Sequence, residues 1–179
     1  LTPPVAAALL AGALTAAASA TAGVRSDTVD AGLGRMIGAA REATRAARAI
    51  PPALLAVAWL SVALGALVLA APGAVPVAGG ASWWAFAPLC APPIAVAALR
   101  MAGRGPIDHS LPVLDTPGGP VPLGPLFWGV TGIDVAVLGC APALAALLLQ
   151  PAETAGFLTA QAVATVLIVG DFLRRGRRR

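Results

Sequence analysis

Lysine, tyrosine and asparagine do not occur in this 179-residue chain, charged residues make up only 11% of it and aromatic residues 4%. Each shortage removes a class of function. Without lysine there is no phosphate-gripping side chain for a Walker-type loop and no amine for a Schiff base. The two cysteines, Cys90 and Cys140, fall inside apolar runs with no C-x-x-C or metal-ligand spacing, so they read as small buried hydrophobes rather than as a disulfide or a metal site. The single histidine, His109, belongs to no H-E-x-x-H frame. No catalytic residue, metal ligand or cofactor is expected, and the chain is read as a non-enzyme.

What remains is apolar. The hydrophobic fraction is 58% and the mean hydropathy +0.84, far from a soluble domain with roughly a quarter of its residues charged. The fold class expected is all-α, a polytopic transmembrane helix bundle. All 12 basic residues are arginine, a usage that with the abundant Ala, Gly and Pro fits a GC-rich coding bias. A pI near 11.0 would suggest a nucleic-acid partner for a soluble protein. Here the arginines lie in the gaps between apolar runs, where membrane topology accounts for them, and no nucleic-acid partner is expected.

Residues 4–24 supply about the twenty apolar positions needed to cross a hydrocarbon core. Ala8, Gly12 and Ala16 form a small-xxx-small ladder there, suited to close helix approach. Ala18-Ser19-Ala20 resembles a signal-peptidase site, but no positive charge precedes the apolar run, so a signal peptide is not expected. Leu1 stands where a complete chain would carry Met, so a missing N-terminal part of the same chain, with further spans, is expected. Residues 27–50 then read as an amphipathic interfacial helix. Arg35, Arg41, Arg45 and Arg48 gather on one side, with Leu33, Met36, Ile37 and Ile50 toward the other. Anionic lipid headgroups are the first partner expected for those four arginines, and a protein surface the second.

Pro51-Pro52 is expected to end that helix, and residues 53–71 to form the second span, with Ser61 and Gly65 as its packing pair. Trp83-Trp84 fits an aromatic belt at the head of a third span, residues 83–100. Pro88, Pro92 and Pro93 should kink this span with no polar side chain to accompany them. Residues 101–131 form a proline-rich cytoplasmic loop, because prolines at 106, 112, 117, 120, 122 and 125 break any continuous helix. Phe127-Trp128 gives another belt, and Thr131-Gly132-Ile133-Asp134 has capping-box spacing ahead of a fourth span, residues 132–149. A fifth, residues 154–173, carries Gln161 and Thr165 one turn apart, as interhelical hydrogen bonding would use them.

With the C-terminus in the cytoplasm, five crossings put every arginine on the cytoplasmic side and only Glu153 outside, satisfying the positive-inside rule. The expected location is the inner cell membrane, multi-pass. Among the acids, Asp134 is nearest membrane depth and stands with Gln161 and Thr165 as a candidate intramembrane polar residue. Its place in the capping box favours a structural role. Asp171 beside Arg174 and Arg175 reads as an interfacial ion pair. Asp108, His109, Ser110 and Asp115 contain the ingredients of acid-base or nucleophilic chemistry, but sequence neighbours do not by themselves form a triad.

The stretch Pro106-Ile107-Asp108 through Leu111-Pro112, then Asp115-Thr116-Pro117-Gly118 and Gly124-Pro125-Leu126-Phe127-Trp128 into Gly132-Ile133-Asp134, resembles the C-terminal region of an actinobacterial family of large multi-spanning membrane proteins. That family's function is not settled, and its members are often labelled permease components of ATP-binding-cassette exporters. The resemblance implies a membrane subunit served by a separate ATP-binding subunit, with the lipid bilayer as its other partner. It carries over no catalytic residue. The alternatives are a structural or assembly membrane protein, and a membrane-embedded enzyme using Asp108, His109 and Asp115.

Overall fold

The computed structural model describes residues 2–24, 41–70, 83–108 and 110–177. Among these the elements run α1 (Pro3–Ser19), α2 (Arg41–Ala70), α3 (Phe86–Ala102), β1 (Val113–Thr116), β2 (Gly119–Pro122), α4 (Leu123–Val130), α5 (Ile133–Gly139), α6 (Ala141–Leu149) and α7 (Ala155–Arg177). Three helices are long and apolar enough to cross a membrane, over Ala43–Leu69, Trp83–Ala102 and Ala155–Arg175. The chain is thus a mostly helical membrane protein.

The third helix is the axis of the bundle. Of its membrane-length window 61% is buried, against 17% for α2 and 6% for α7, so α3 is enclosed by protein while the other two keep faces for lipid. Its neighbours come close because the contact residues are small: Ala13 and Ala17 of α1, Ala56 of α2, Ala91 and Ala98 of α3, and Ala143 and Ala146 of α6 all pack into one core with Trp83, Phe86 and Ile94. Where lipid tails are as apolar as the side chains, such close van der Waals packing replaces the hydrophobic effect as the associating force.

Pro51 and Pro52 do not end the helix expected over residues 27–50; α2 runs straight through them. An interior proline costs a helix about 3 kcal/mol in water, but a loop would leave several backbone groups unsatisfied in an apolar setting, each at several kcal/mol. The unbroken helix wins, and the Pro52 ring is fully buried within it. The arginine-bearing segment from Arg41 and the second span are therefore one rod. At 30 residues it is about 45 Å long, which overhangs a core of about 30 Å. Residues 27–40 of the expected amphipathic helix lie outside the described residues.

The fourth expected span is also different: it is interrupted. Pro142, second residue of α6, cannot donate into the preceding turn, and the break falls at Cys140 between α5 and α6. The pair still travels the length of α3 in the opposite direction. A Cβ on Gly132 would sit 2.7 Å from the Ala97 carbonyl near the end of α3, and one on Gly139 would sit 2.5 Å from Pro93 at its middle. Leu144 and Leu147 join the cluster of Trp83 and Phe86 at its start. Gly132 is doubly constrained, since its φ of 94° suits only glycine.

Three smaller expectations change or sharpen as well. The buried positions of α1 are Ala6, Ala13 and Ala17; of the Ala8-Gly12-Ala16 ladder, Gly12 is the point of close helix approach, packed against Trp59 of α2, whose indole donates to the Leu9 carbonyl at 3.3 Å. Trp83 is not a belt residue but a core one, 4% exposed and tilted against Phe86 at 5.5 Å between ring centroids. Within the proline-rich loop, β1 and β2 pair antiparallel in the register Val113↔Pro122 to Thr116↔Gly119. Pro117 opens the turn with its fixed negative φ, and Gly119, just past it, takes a φ of 111° that suits glycine. Pro117, Pro120 and Pro122 are compatible with a two-stranded edge, but residues 123–130 of the expected loop form the helix α4, which admits Pro125 in its first turn, where no intrahelical N–H bond is lost.

Candidate functional site

Two polar regions stand out in an otherwise apolar bundle, one at mid-height and one at an end. At mid-height, Gln161 of α7 is fully buried, and its carboxamide enters the α5–α6 interruption. Its Nε2 donates to the Gly139 carbonyl at 2.7 Å, and its Oε1 accepts the Ala143 N–H at 3.2 Å. Gly139 and Ala143 are four residues apart, and their carbonyl and N–H are the acceptor and donor of one ordinary helical rung. The side chain has been inserted into that rung, replacing one backbone bond by two.

One turn on, Thr165 does the same for α3. Its Oγ1 donates to the Leu89 carbonyl at 2.6 Å while accepting from Gln161 Nε2 at 3.3 Å. The residue four beyond Leu89 is Pro93, which has no N–H to offer. Thr165 supplies the missing donor. The expectation that no polar side chain accompanies the α3 prolines is therefore corrected: the companion comes from α7, 76 positions away in sequence. Cys140 lies in the same layer, its thiol directed at the Cys90 carbonyl at 3.8 Å, and both cysteines are free and buried.

At the end of the bundle, the N-terminal turns of α2, the C-terminus of α3 and the C-terminus of α7 meet around a cleft of about 980 Å³. Arg45, Arg48, Arg100, Arg104 and Arg175 line it, with Asp171 as the carboxylate among the lining residues. Toward the middle of the bundle the walls become apolar, with Val96, Leu99, Leu167 and Ile168. Antiparallel packing explains the gathering. The chain enters α2 and leaves α3 and α7 at the same level.

Four of the guanidinium groups show how differently the cleft holds them. Arg104 is the most fixed: Nε donates to the Thr131 carbonyl at 3.0 Å, Nη2 donates to the carbonyls of Gly129, at 3.1 Å, and of Thr131, and the group lies 4.7 Å from the Trp128 ring centroid. It thereby caps the C-terminal end of α4, where helix carbonyls lack partners and a cation is favoured. Trp128 is itself tied by its indole N–H to the Gly105 carbonyl at 3.0 Å. Arg175 pairs with Asp171 at 2.8 Å one turn away. Arg45 stands 5.9 Å over the Phe172 ring, and Arg100 reaches Asp134 at 3.5 Å, with both of those side chains more than a third exposed.

Asp134 sits where α5 begins, but the box around it is only half built. Its Oδ1 accepts the Gly132 N–H at 2.6 Å, whereas Thr131 turns its hydroxyl back to the Phe127 carbonyl at 2.7 Å. The N-cap is Gly132, not Thr131. Of the four arginines expected to bind lipid or a partner, Arg45 and Arg48 line the cleft, while Arg35 and the side chain of Arg41 lie outside the described residues. His109 lies outside them too. Asp108 accepts both the N–H and the hydroxyl of Ser110, at 2.9 and 2.6 Å, in a local turn, and Asp115 is exposed on β1.

No family model, curated protein or solved structure matches this chain. The site must therefore be read from its own geometry. Sequence reasoning put all five arginines on one face but named only Arg45 and Arg48 of them as partner-binding residues, not Arg100, Arg104 and Arg175. The available signal was alternation of span direction, which brings the ends of the second, third and fifth spans to one face.

Proposed function

We infer that this chain is a permease-like integral membrane subunit of an exporter whose energy comes from a separate ATP-binding subunit. The observation that carries this reading is the arginine-walled cleft, because it joins the ends of three long helices into a single cationic face. A subunit with no nucleotide-binding lysine of its own needs such a face to receive a carboxylate-rich partner, and arginine forks suit that contact. Five crossings complete the arrangement, with α1 as the first and the interrupted α5–α6 pair as the fourth. The arginine end then lies in the cytoplasm by the positive-inside rule. Beside the cleft, α4 exposes Leu126 and Phe127 at 47% and 55%, an apolar margin next to the charged one. A helix interruption at Cys140 packed beside the proline pair Pro92-Pro93 of the unbroken α3 is a feature that transport folds exploit. The resemblance of the Pro106 to Asp134 stretch to exporter-associated proteins supports the same reading.

A second reading is favoured by a different observation. The apolar pocket between the helices lined by Leu10, Leu60, Trp83 and Phe86 holds only about 40 Å³, and the polar groups Gln161 and Thr165 at mid-height are engaged in backbone repair. A dry core of this kind suits an assembly or anchoring protein. Gentle-detergent purification of the full-length protein separates the two. Recovery of an ATP-binding subunit with the wild type, and its loss when Arg45 and Arg48 are both replaced by Lys, is the exporter expectation. Recovery of no ATPase with the wild type favours the anchoring role. Cysteine labelling fixes the topology: position 104 should be protected from an impermeant reagent added outside, and position 153 should react.

A further inference from the structure

The cleft is amphiphilic in a way that a docking face for a soluble subunit need not be. Val96 precedes Arg100 by one helical turn, and Leu167 and Ile168 precede Arg175 by two, so the cationic mouth passes directly into an apolar wall between α3 and α7. Its volume, about 980 Å³, stands at the upper end of the roughly 300–1,000 Å³ usual for small-molecule sites, and is far more than a lone phosphate fills. Five guanidinium groups share this wall with Asp171, and that carboxylate is already paired with Arg175 at 2.8 Å.

Arginine forks bind phosphate oxygens bidentately. Arg104 is oriented in advance, by two carbonyls and the Trp128 face, through Nε and Nη2, which leaves its Nη1 amino group outside those bonds. Preorganisation of this kind lowers the ordering cost of binding. We propose that the cleft is a binding site for an anionic phospholipid, with the phosphate held by Arg45, Arg100 and Arg104 and the first methylenes of an acyl chain against Val96, Leu99, Leu167 and Ile168. The site requires that the bundle lie in a membrane, and it is independent of whether the protein transports anything.

The test is native mass spectrometry of the full-length protein in neutral detergent, titrated with phosphatidylglycerol, with phosphatidylcholine of the same chains, and with glycerophosphoglycerol, the same phosphodiester without its tails. Phosphatidylglycerol should bind about tenfold more tightly than phosphatidylcholine. Arg45→Gln should remove most of that preference and Arg45→Lys part of it, because the charge is kept and the fork is lost. Arg174→Gln, the same charge change at an exposed position outside the cleft, should leave it intact. Equal affinity for the two lipids overturns the proposal. So does an equal loss in Arg45→Gln and Arg174→Gln, which would mark unspecific surface charge. Glycerophosphoglycerol binding as tightly as the lipid would overturn the role of the apolar wall. The absence of a co-purifying ATPase would count against the exporter and leave these lipid affinities unchanged.

Discussion

Mid-bundle and arginine end are both polar regions, yet they treat their polar atoms in opposite ways. At mid-height, Gln161 and Thr165 are fitted to backbone groups that prolines have stranded, and no charge is present in their bonding. At the end, among the described residues, five arginines line one cleft together with the carboxylate of Asp171. The difference separates architecture from recognition. Buried polar groups inside a membrane protein are by default functional candidates, but a side chain whose donors and acceptors are all matched to helix carbonyls and N–H groups has a sufficient structural reason to be there. Arg104 has such a reason too, as the cap of α4, but the gathering of arginines at one open cleft does not follow from backbone repair.

The sharpest way to break this contrast is Gln161→Leu. It strands the Gly139 carbonyl and the Ala143 N–H together, and a buried unpaired group costs about 1–3 kcal/mol. The expected loss is about 3 kcal/mol, read as a lowered unfolding midpoint in detergent, with lipid binding at the cleft retained in the fraction still folded. In a Pro142→Ala background the helix can close over the break, so the same substitution should cost much less. A full loss in that background would mean that Gln161 serves something other than the interruption.

Next in size is Gly139→Ala. The new methyl would meet the Pro93 ring at 2.5 Å and Ile168 at 2.6 Å, and overpacking of this kind costs about 1–3 kcal/mol. Because three helices meet there, the midpoint should fall by an amount near that of Gln161→Leu. An unchanged midpoint would show that α5 is not seated on α3 as described.

Much of the architecture was legible in sequence because it follows from hydropathy and proline chemistry. The apolar runs beginning at Trp83 and near Ala155 mark helices that can cross a membrane, and the pairing of Gln161 with Thr165 is visible as a one-turn spacing. What the two residues do was not legible, since their partners at Leu89, Gly139 and Ala143 come from other helices and only tertiary packing joins them. Pro51-Pro52 misled for a physical reason: proline rules learned in water weigh a lost hydrogen bond against solvent, whereas an apolar surround offers the stranded backbone nothing better than the helix itself. Pro142 was passed over because the run from Ile133 to Leu149 is evenly apolar, and composition alone does not register one missing N–H. The cleft was half legible, as charge asymmetry between links, but its shape depends on where α2, α3 and α7 end.

Thr165→Val probes the smaller repair. It strands the Leu89 carbonyl and should cost about 1 kcal/mol. In a Pro93→Ala background the new N–H at position 93 can bond that carbonyl directly, so the cost should vanish. A double-mutant cycle measures this coupling without knowledge of the protein's activity. Additive effects would mean that Thr165 is held for its bond with Gln161 rather than for the proline.

The smallest effect is expected at Asp134, where the two regions come closest in character. Asp134 is a carboxylate among the arginines, but its firmest contact is architectural, the 2.6 Å bond from the Gly132 N–H at the start of α5. Its contact with Arg100 is 3.5 Å long, and with side chains 38% and 44% exposed the pair is screened by solvent. Asp134→Asn keeps an oxygen that can accept the Gly132 N–H and removes only the charge, so the loss should be about 0.5 kcal/mol or less from the helix-dipole contribution. Asp134→Ala removes the acceptor as well and should cost about 1 kcal/mol. Phosphatidylglycerol binding should hold or tighten in both, because a negative charge leaves the mouth of the cleft. If Asp134→Asn instead abolished activity in a reconstituted system at normal expression and stability, the carboxylate would belong with the functional groups of the cleft. The division between repair at mid-height and recognition at the end would then have to be drawn one turn deeper.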